Sequence, residues 1–445
     1  MSKNVLVKNV ASLSVVQIAN YVLPLISIPI ITRIIGPDKF GVINYAATFV
    51  SYFSIFIGYG FDLTATRRVA KEPNNEYKRN VIFNEVIQAK IILFLISISL
   101  FTICLNFIPP LKQEKAVAIY TFLYCIGTIL TQDWLFIAMQ DLSKIALFNF
   151  ISKLLFTLVV LKTVHEKNDY QWQPLVTSIV QIFVAMISFT WAFKKYNLKF
   201  IVINIKETIL LLQKEFTIFL SIILIGLYTT ANLIILGLFQ NYEKVGYYSG
   251  GQKLIIVAYS IINLPLSQAL FPYIGKAFAH SFDKGLSTTQ KVVPMIILLT
   301  GSMGVTMLAV GPWLLRIFYG NNFEPSVIVF QLLVFTPLFI SLSSVFGTQI
   351  MLNLNMDKLF MKISLIATVI SILSNLILVN KFGYIGSALN WLFTEIMITI
   401  SMYVALRMKG INPINYNYFN LGLLRDYLKP IINRVLPHTF VKKYE

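Results

Sequence analysis

Long apolar runs separated by short polar stretches make up almost the whole chain. A helix needs about 20 residues to cross the roughly 30 Å of hydrocarbon in a bilayer, and lipid tolerates no unpaired backbone, so each run should be helical. The runs predict twelve membrane-spanning helices, at residues 10–32, 40–62, 86–108, 116–139, 143–163, 174–193, 215–239, 246–273, 292–315, 326–350, 360–380 and 384–406. The pattern therefore indicates an all-α integral membrane protein.

Composition and loop lengths narrow the class further. Of the 445 residues, 57% are hydrophobic and 13% are charged, whereas soluble proteins carry about 25% charged residues. The first apolar run continues into a second without a small-residue cleavage site, so we expect no cleaved signal peptide. The predicted outer loops are short, and no glycine-rich phosphate-binding motif occurs. These features argue against an enzyme and against ATP bound by this chain.

The net charge of +18 is distributed as expected for a membrane protein. Of the 37 Lys and Arg residues, 25 lie in the predicted segments on the side of the N-terminus and 9 in the opposite loops. Lys90, Lys153 and Lys253 fall within or at the edge of spans. The positive-inside rule then places both termini in the cytoplasm, and this distribution argues against a nucleic-acid partner.

The spacing of the spans predicts two halves. A charged segment between the sixth and seventh spans divides the chain, and the last residues are too charged to span but amphipathic, as in a helix lying on the inner membrane surface. The predicted parts are an N-terminal six-helix lobe at 1–193, a cytoplasmic linker at 194–214, a C-terminal six-helix lobe at 215–406 and a cytoplasmic tail at 407–445.

A short repeated phrase supports this division. Asp38-Lys39-Phe40-Gly41 aligns with Glu243-Lys244-Val245-Gly246, and each phrase opens the second helix of its half. Local explanations also exist, because lysine snorkels to headgroups and glycine permits a tight turn before a helix.

Polar side chains line up along several predicted spans. They are Gln17 and Asn20 in span one, Asn149, Ser152 and Lys153 in span five, Gln252, Lys253 and Asn263 in span eight, and Ser364, Thr368, Ser371 and Asn375 in span eleven. Such stripes either line a water-filled cavity or join helices through Ser, Thr and Asn side chains.

Charged residues inside spans point to the cavity. Each costs about 2.5–3.5 kcal/mol at the centre of a membrane helix, and Lys153 lies near the middle of span five. Lys153 and Lys253 therefore indicate a cationic lumen, with snorkelling or a structural ion pair as the alternative. Arg33 has two interpretations: Pro24 and Pro29 bend the helix and bring it to the substrate, or it anchors the outer interface.

Acidic residues and metal ligands complete the candidate chemistry. Asp62, Asp133 and Glu395 could be proton or sodium sites, or counter-ions for Arg67, Lys153 or Lys90. The two cysteines and three histidines lack any metal-ligand spacing. We therefore expect no metal site and no resident cofactor, with coupling to an ion gradient left open.

Several phrases together carry a family resemblance: "PIITRIIGPDKFGVINY", "GYGFDLTATRRVAK", "QDWLFIAMQDLSKIALFNFISKLL", "VGYYSGGQKL" and "LPLSQALFPYIGK". The chain resembles the bacterial O-antigen and polysaccharide repeat-unit flippases of the multidrug/oligosaccharidyl-lipid/polysaccharide exporter superfamily. The resemblance implies two six-helix lobes around a central cationic cavity that alternately faces cytoplasm and periplasm.

The implied cargo is undecaprenyl-diphosphate-linked oligosaccharide, such as O-antigen or capsule repeat units, moved outward across the bacterial inner membrane. Arg33 and Lys253 match family motifs, which implies diphosphate binding. Asp133-Trp134-x-Phe136 matches the fourth-helix motif, but Ile137-Ala138 stands where the family has Gln-Gly.

The implied partners are membrane lipids, a polysaccharide polymerase and glycosyltransferases. The main rival is a drug or cation exporter of the same superfamily, which should favour carboxylates in its cavity, whereas midspan lysines outnumber midspan acids here. A membrane glycosyltransferase or polymerase should show a large outer loop or an outer acidic pair, and neither is present.

Overall fold

The computed structural model describes the backbone of residues 3–419, and the side chains of this range except 3–22, 24, 25, 225, 228 and 261–273. This part of the chain is helical with no β-strand. The α-helices are α1 (Lys3–Gly58), α2 (Phe61–Ala70), α3 (Glu76–Phe107), α4 (Pro109–Gln113), α5 (Lys115–Phe122), α6 (Tyr124–Leu130), α7 (Asp133–Ala138), α8 (Leu142–Thr163), α9 (Trp172–Lys195), α10 (Ile205–Phe239), α11 (Tyr242–His280), α12 (Phe282–Tyr319), α13 (Ser326–Leu333), α14 (Thr336–Ser344) and α15 (Asp357–Met408). Shorter 3₁₀ helices occupy Lys167–Gln171, Asn321–Phe323 and Tyr416–Tyr418, and a π-helix occupies Val345–Met351.

Single glycines divide the two longest helices. At 1.5 Å per residue, the 56 residues of α1 would extend about 84 Å, far more than a bilayer core. Gly36 breaks α1 with φ of 75°, and Gly383 breaks α15 with φ of 57°. Glycine adopts such left-handed φ values readily because it lacks a Cβ. Each long helix therefore supplies two of the predicted spans.

The predicted span at 116–139 is not one continuous helix. It consists of α5, α6 and α7, with a non-helical step at Thr131 and Gln132. Among the described residues, eight helical segments are long and apolar enough to cross a membrane, or nine if the bent pair Ile205–Leu224 and Thr229–Phe239 is one span. The chain is therefore a multi-pass membrane protein, and the number twelve stays a prediction.

The chain forms two compact units that do not follow its halves. The first combines Met1–Gly251, Trp313–Val329 and Ile372–Ser387, and within it α8 packs against α1 and α9. The second combines Gln252–Pro312, Phe330–Ser371 and Ala388–Glu445, of which residues up to 419 are described. The predicted lobes at 1–193 and 215–406 are a different division and remain a prediction.

Within the second unit, the beginning of the predicted tail docks on α12. The Gln290 side chain donates a hydrogen bond to the Asn412 carbonyl at 2.7 Å, and the Ser287 and Tyr418 hydroxyls lie 3.3 Å apart. The amphipathic helix predicted for the tail falls largely on 420–445, outside the described residues.

The start of the predicted linker is attached to α3. Residues 198–204 are non-helical, and α10 begins at Ile205, inside the predicted linker range. The buried Arg79 donates to the Tyr196 carbonyl at 2.8 Å, and Asn84 donates to the Lys199 carbonyl at 2.8 Å. These bonds satisfy backbone groups that would otherwise be left unpaired.

The two copies of the repeated phrase pack against each other reciprocally. A Cβ added to Gly41 would lie 1.8 Å from the Tyr242 carbonyl oxygen, and one added to Gly246 would lie 1.9 Å from the Pro37 carbonyl oxygen. Pro37 and Tyr242 occupy equivalent positions in the two phrases. Glycine without a side chain lets backbones approach this closely, so the phrase marks a symmetrical contact.

Candidate transport site

Helix α8 has two separate exposed faces. Asn149 and Lys153, four residues apart and therefore on one face, are both exposed. Leu147 and Leu158 are 38% and 53% exposed and lie roughly 120–140° around the helix from Lys153 at 100° per residue. One exposed face is thus polar and the other apolar. A helix that only touched lipid on its exposed surface would have no reason to carry the polar one.

Exposure of the polar face changes along α8. Leu142, near its N-terminal end, is 53% exposed, whereas Val160, toward its C-terminal end, is fully buried. Both lie within about 20° of Lys153 when viewed down the helix. The polar face is therefore open at the end that we predict to be cytoplasmic and closed at the other.

Lys153 has no hydrogen bond or ion pair with any residue whose side chain is described. A lysine left in hydrocarbon would cost about 2.5–3.5 kcal/mol. Snorkelling is a poor explanation, because Lys153 lies at the middle of the 22 residues of α8. Contact with water or an anion accounts for its charge better than contact with lipid does.

Arg33 lies at the C-terminal end of α12 rather than in a polar stripe. Its guanidinium donates a hydrogen bond to the carbonyl of Ile317, one of the last-turn carbonyls that have no partner within a helix. The backbone of α1 is helical past Pro24 and Pro29 and leaves helical geometry only at Gly36. In this conformation Arg33 therefore compensates a helix end, as basic residues do, which fits the anchoring interpretation.

The second unit begins within α11 at Gln252, which is buried, and the next residue, Lys253, is half-buried. Glu395 of α15 is only 3% exposed and accepts a hydrogen bond from the Trp391 indole at 3.2 Å. The span-eleven stripe joins helices as the alternative interpretation expected, since Ser371 accepts from Thr394 at 2.9 Å.

The sequence raised Asp62 and Asp133 as counter-ions for Lys90, and the structure brings the three together. Lys90 is 3% exposed, and the charges of both carboxylates act on its ammonium from beyond ion-pair distance. Lys90 also donates hydrogen bonds to the carbonyls of Thr128 and Thr131, at 3.1 Å and 3.2 Å. The structure thus places a buried cation at the break between α6 and α7.

Gln132 completes the pairing at this break. Its amide donates to the carbonyls of Ile129 and Leu130, and its side-chain oxygen accepts from the Trp134 indole at 2.8 Å. The unpaired carbonyls that end a helix are therefore met by Gln132 and Lys90. The Gln-Asp-Trp motif was visible in the sequence, but the contribution of Lys90 to it was not.

Three predicted site residues cannot be placed. The side chains of Gln17, Asn20 and Asn263 lie outside the described residues. In the part of the chain that is described, no three His, Cys, Asp or Glu side chains form a group able to hold a metal ion.

Long apolar helices, two of them broken at glycines, make this chain a polytopic α-helical membrane protein. The chain matches the polysaccharide biosynthesis protein family over residues 6–278, more than half its length, and it belongs to that family.

A curated relative from Escherichia coli (strain K12), with the name "Putative O-antigen transporter", is 29% identical over 401 residues, which cover 90% of this chain and 96% of the relative. The sequence-based resemblance to polysaccharide flippases is therefore confirmed, and the protein is a transporter rather than an enzyme.

Solved structures show the same fold at low identity. The inward closed conformation of the lipid II flippase MurJ has a TM-score of 0.73 at 12% identity, covering 95% of this chain and 92% of that one. An inward-facing multidrug resistance MATE family transporter has a TM-score of 0.67 at 10% identity, covering 89% of this chain and 94% of that one. The chain therefore shares its fold with the MurJ and MATE structures.

Proposed function

We propose that this protein is a flippase for undecaprenyl-diphosphate-linked oligosaccharide, such as O-antigen or capsule repeat units. It moves this cargo from the cytoplasmic to the periplasmic leaflet of the bacterial inner membrane by alternating access. The curated relative's name supports an O-antigen cargo, and the MurJ fold supports a lipid-linked one.

The observation that carries the proposal is the polar face of α8. Lys153 is exposed beside Asn149 on a membrane helix whose second exposed face carries apolar side chains. A diphosphate is the anionic part of the cargo, and lysine binds phosphate as a point charge. The low dielectric of the membrane interior strengthens that attraction over its value in water.

The cargo's own chemistry sets the physical route. A diphosphate and several sugars cannot enter hydrocarbon, because charged and hydroxyl groups would lose their hydration without replacement. The prenyl chain can stay in the lipid. A hydrated groove open to the side therefore carries the headgroup while the tail remains outside the protein.

We assign individual roles from the chemistry of each side chain. Lys153 and Lys253 attract the diphosphate, and the neutral polar side chains Gln17, Asn20, Gln252 and Asn263 contact the sugars. Arg33 is held at the C-terminal end of α12 in this conformation, so we propose that it reaches the diphosphate only after that bond is released. Asp62, Asp133 and Glu395 act as counter-ions or coupling sites.

Both termini face the cytoplasm in this proposal, because the basic residues concentrate on that side. The closed end of the α8 face at Val160 is then periplasmic. The glycosyltransferases that build the lipid-linked unit supply the cargo, and a polysaccharide polymerase receives it.

A vesicle assay tests the function. The protein is reconstituted with fluorescently labelled lipid-linked oligosaccharide, and outward movement is followed by accessibility to a membrane-impermeant quencher. We expect Lys153→Ala to slow transport at least about tenfold, the effect of losing roughly 1.4 kcal/mol of phosphate contact. Lys153→Arg should retain most of it, because the positive charge is kept.

Lys162→Ala is the matched control, since Lys162 is also an exposed lysine of α8 but lies near its end. It should transport normally. Equal transport by the Lys153→Ala and wild-type proteins at equal protein levels would refute the role of Lys153. Export of cationic dyes without movement of lipid-linked oligosaccharide would instead identify the rival drug exporter.

A further inference from the structure

The cluster around Lys90 contains an unusual balance of charges and backbone oxygens. One ammonium donates hydrogen bonds to two carbonyls, and two carboxylates lie farther away, where their charges still act on it, all within the first compact unit. Asp62 is exposed and Asp133 is half-buried, so water reaches the acidic side of the cluster. Lys90 itself is almost fully buried.

Broken membrane helices commonly place unwound carbonyls around a dissolved cation in transporters. The C-terminal end of α6 has the same features: carbonyl oxygens that accept no backbone N–H, the negative end of a helix dipole and nearby carboxylates. Here the position in front of the Thr128 and Thr131 carbonyls is filled by the ammonium of Lys90. Sodium and potassium are also single positive charges that bind oxygen ligands.

We propose that Lys90 is a tethered cation that replaces a dissolved monovalent cation at the break between α6 and α7. The carbonyls of Thr128 and Thr131 are the oxygen ligands of this site, and the more distant carboxylates of Asp62 and Asp133 supply the negative charge that favours a cation there. The wild-type protein therefore binds no sodium or potassium at this break, and removal of the lysine ammonium creates a site that does.

This inference goes beyond the proposed cargo and does not depend on it. A purely structural lysine would be replaced at a fixed loss of stability, whatever salt is present. If Lys90 acts as a tethered cation, dissolved sodium or potassium should restore the stability that is lost when Lys90 is replaced, because any ligand that binds only the folded state stabilises it.

The experiment measures Tm of the full-length purified protein in detergent at neutral pH, in sodium, potassium or N-methylglucamine chloride of equal ionic strength. Lys90→Ala and the more conservative Lys90→Gln should each gain Tm in sodium or potassium relative to N-methylglucamine, by more than the wild type gains. Ethylammonium, which carries the missing ammonium group, should also raise the Tm of Lys90→Ala.

Matched variants separate this site from any other cation site. Lys90→Arg should respond to salt as the wild type does, because its charge is retained. Adding Asp133→Asn to Lys90→Ala should abolish the extra gain. If the Lys90 variants are recovered folded only from membranes extracted in sodium or potassium, that also supports the proposal.

Three results would overturn it. The first is the same Tm response to sodium in Lys90→Ala, Lys90→Gln and wild type. The second is a sodium response of the wild type that disappears on Asp133→Asn alone, which would mean that a dissolved cation already occupies the break. The third is failure to recover any folded Lys90 variant in all of the salts.

Discussion

The reciprocal glycine contact gives a sharp conformational prediction. Gly41 lies against the Tyr242 carbonyl and Gly246 against the Pro37 carbonyl, on the side of the molecule that we predict to be periplasmic. The contact joins the two predicted lobes, so if these lobes separate on the outer side during alternating access, the contact must break when that side opens. A side chain at either glycine should therefore favour the outward-open state.

The structure sets the size of the perturbation. An alanine Cβ would lie 1.8 Å from one carbonyl oxygen or 1.9 Å from the other, whereas real Cβ contacts are essentially never under 3.0 Å. Each backbone pair would have to separate by more than 1 Å. Overpacking of this kind costs about 1–3 kcal/mol, which shifts a two-state equilibrium roughly 5- to 150-fold.

A buried serine provides the reporter. Ser249 is 1% exposed and lies one turn beyond Gly246 on α11. We would introduce Ser249→Cys after replacing the native Cys104 and Cys125 with serine, and label intact cells with a membrane-impermeant maleimide. Gly246→Ala should raise the labelling rate within the roughly 5- to 150-fold range, provided that opening precedes labelling.

Gly58→Ala is the control. A Cβ added at Gly58 would meet no atom within 4 Å, and alanine raises helix propensity there just as it does at the two test positions. It should leave labelling unchanged. The prediction would be refuted if the Gly41→Ala and Gly246→Ala proteins were well folded and their cysteine at position 249 reacted at the rate seen in the Gly58→Ala control. A contact that accommodates a methyl group without any change in labelling does not hold the outer side closed.

Three further predictions concern single contacts. Burial acts to raise the pKa of Asp141, but hydrogen bonds from Lys195 and its neighbours outweigh this effect and hold the pKa below its ordinary value. The carboxylate therefore stabilises the fold above the unfolded pKa of about 3.9, and this contribution is lost as the pH falls through the lower pKa of the folded protein. Asp141→Asn should lower the free energy of unfolding by up to about 1 kcal/mol at pH 7. An equal Tm for the variant and the wild type at that pH would contradict this prediction. Arg79→Met should destabilise the protein by about 1–3 kcal/mol for each carbonyl left unpaired, measured as a lower Tm, and an unchanged Tm would show that water replaces the guanidinium. Glu395→Gln should keep Tm at or above the wild-type value, because a neutral amide is less costly to bury than a carboxylate and still accepts from Trp391; loss of transport at that unchanged Tm would assign Glu395 to ion coupling, whereas normal transport would leave it a structural residue.

The helical architecture was readable from sequence because the bilayer restricts the choices. Apolar runs of about 20 residues must be helices in lipid, and the Gly-Pro step after Ile35 correctly indicated an interruption between two spans. The structure confines that interruption to the backbone of Gly36. The non-helical step at Gln132 was missed, because its cause is a set of hydrogen bonds with residues outside any local pattern.

The polar stripes show the same limit. Periodicity predicted which residues share a helix face, but not what covers that face. Ser371 and Thr394 turned out to contact each other between two parts of α15, whereas Asn149 is exposed. Both positions have the same sequence signal, a small polar residue at helical spacing, and only the packing of neighbouring helices distinguishes them.

Lys90 and Lys153 make the point most directly, and they also indicate where cargo should be sought. Each is a lysine inside an apolar run, with the same insertion cost to offset. Lys90 offsets it with carbonyls contributed by residues 38 and 41 positions away in sequence, so its charge is already used within the protein. Lys153 has no such partner among the described residues, and its charge remains available to an anion. Midspan lysines should therefore be counted toward an anionic cavity only after those bound to helix ends have been removed. By that criterion, Lys153 is a better guide to the diphosphate path than the number of lysines in the chain.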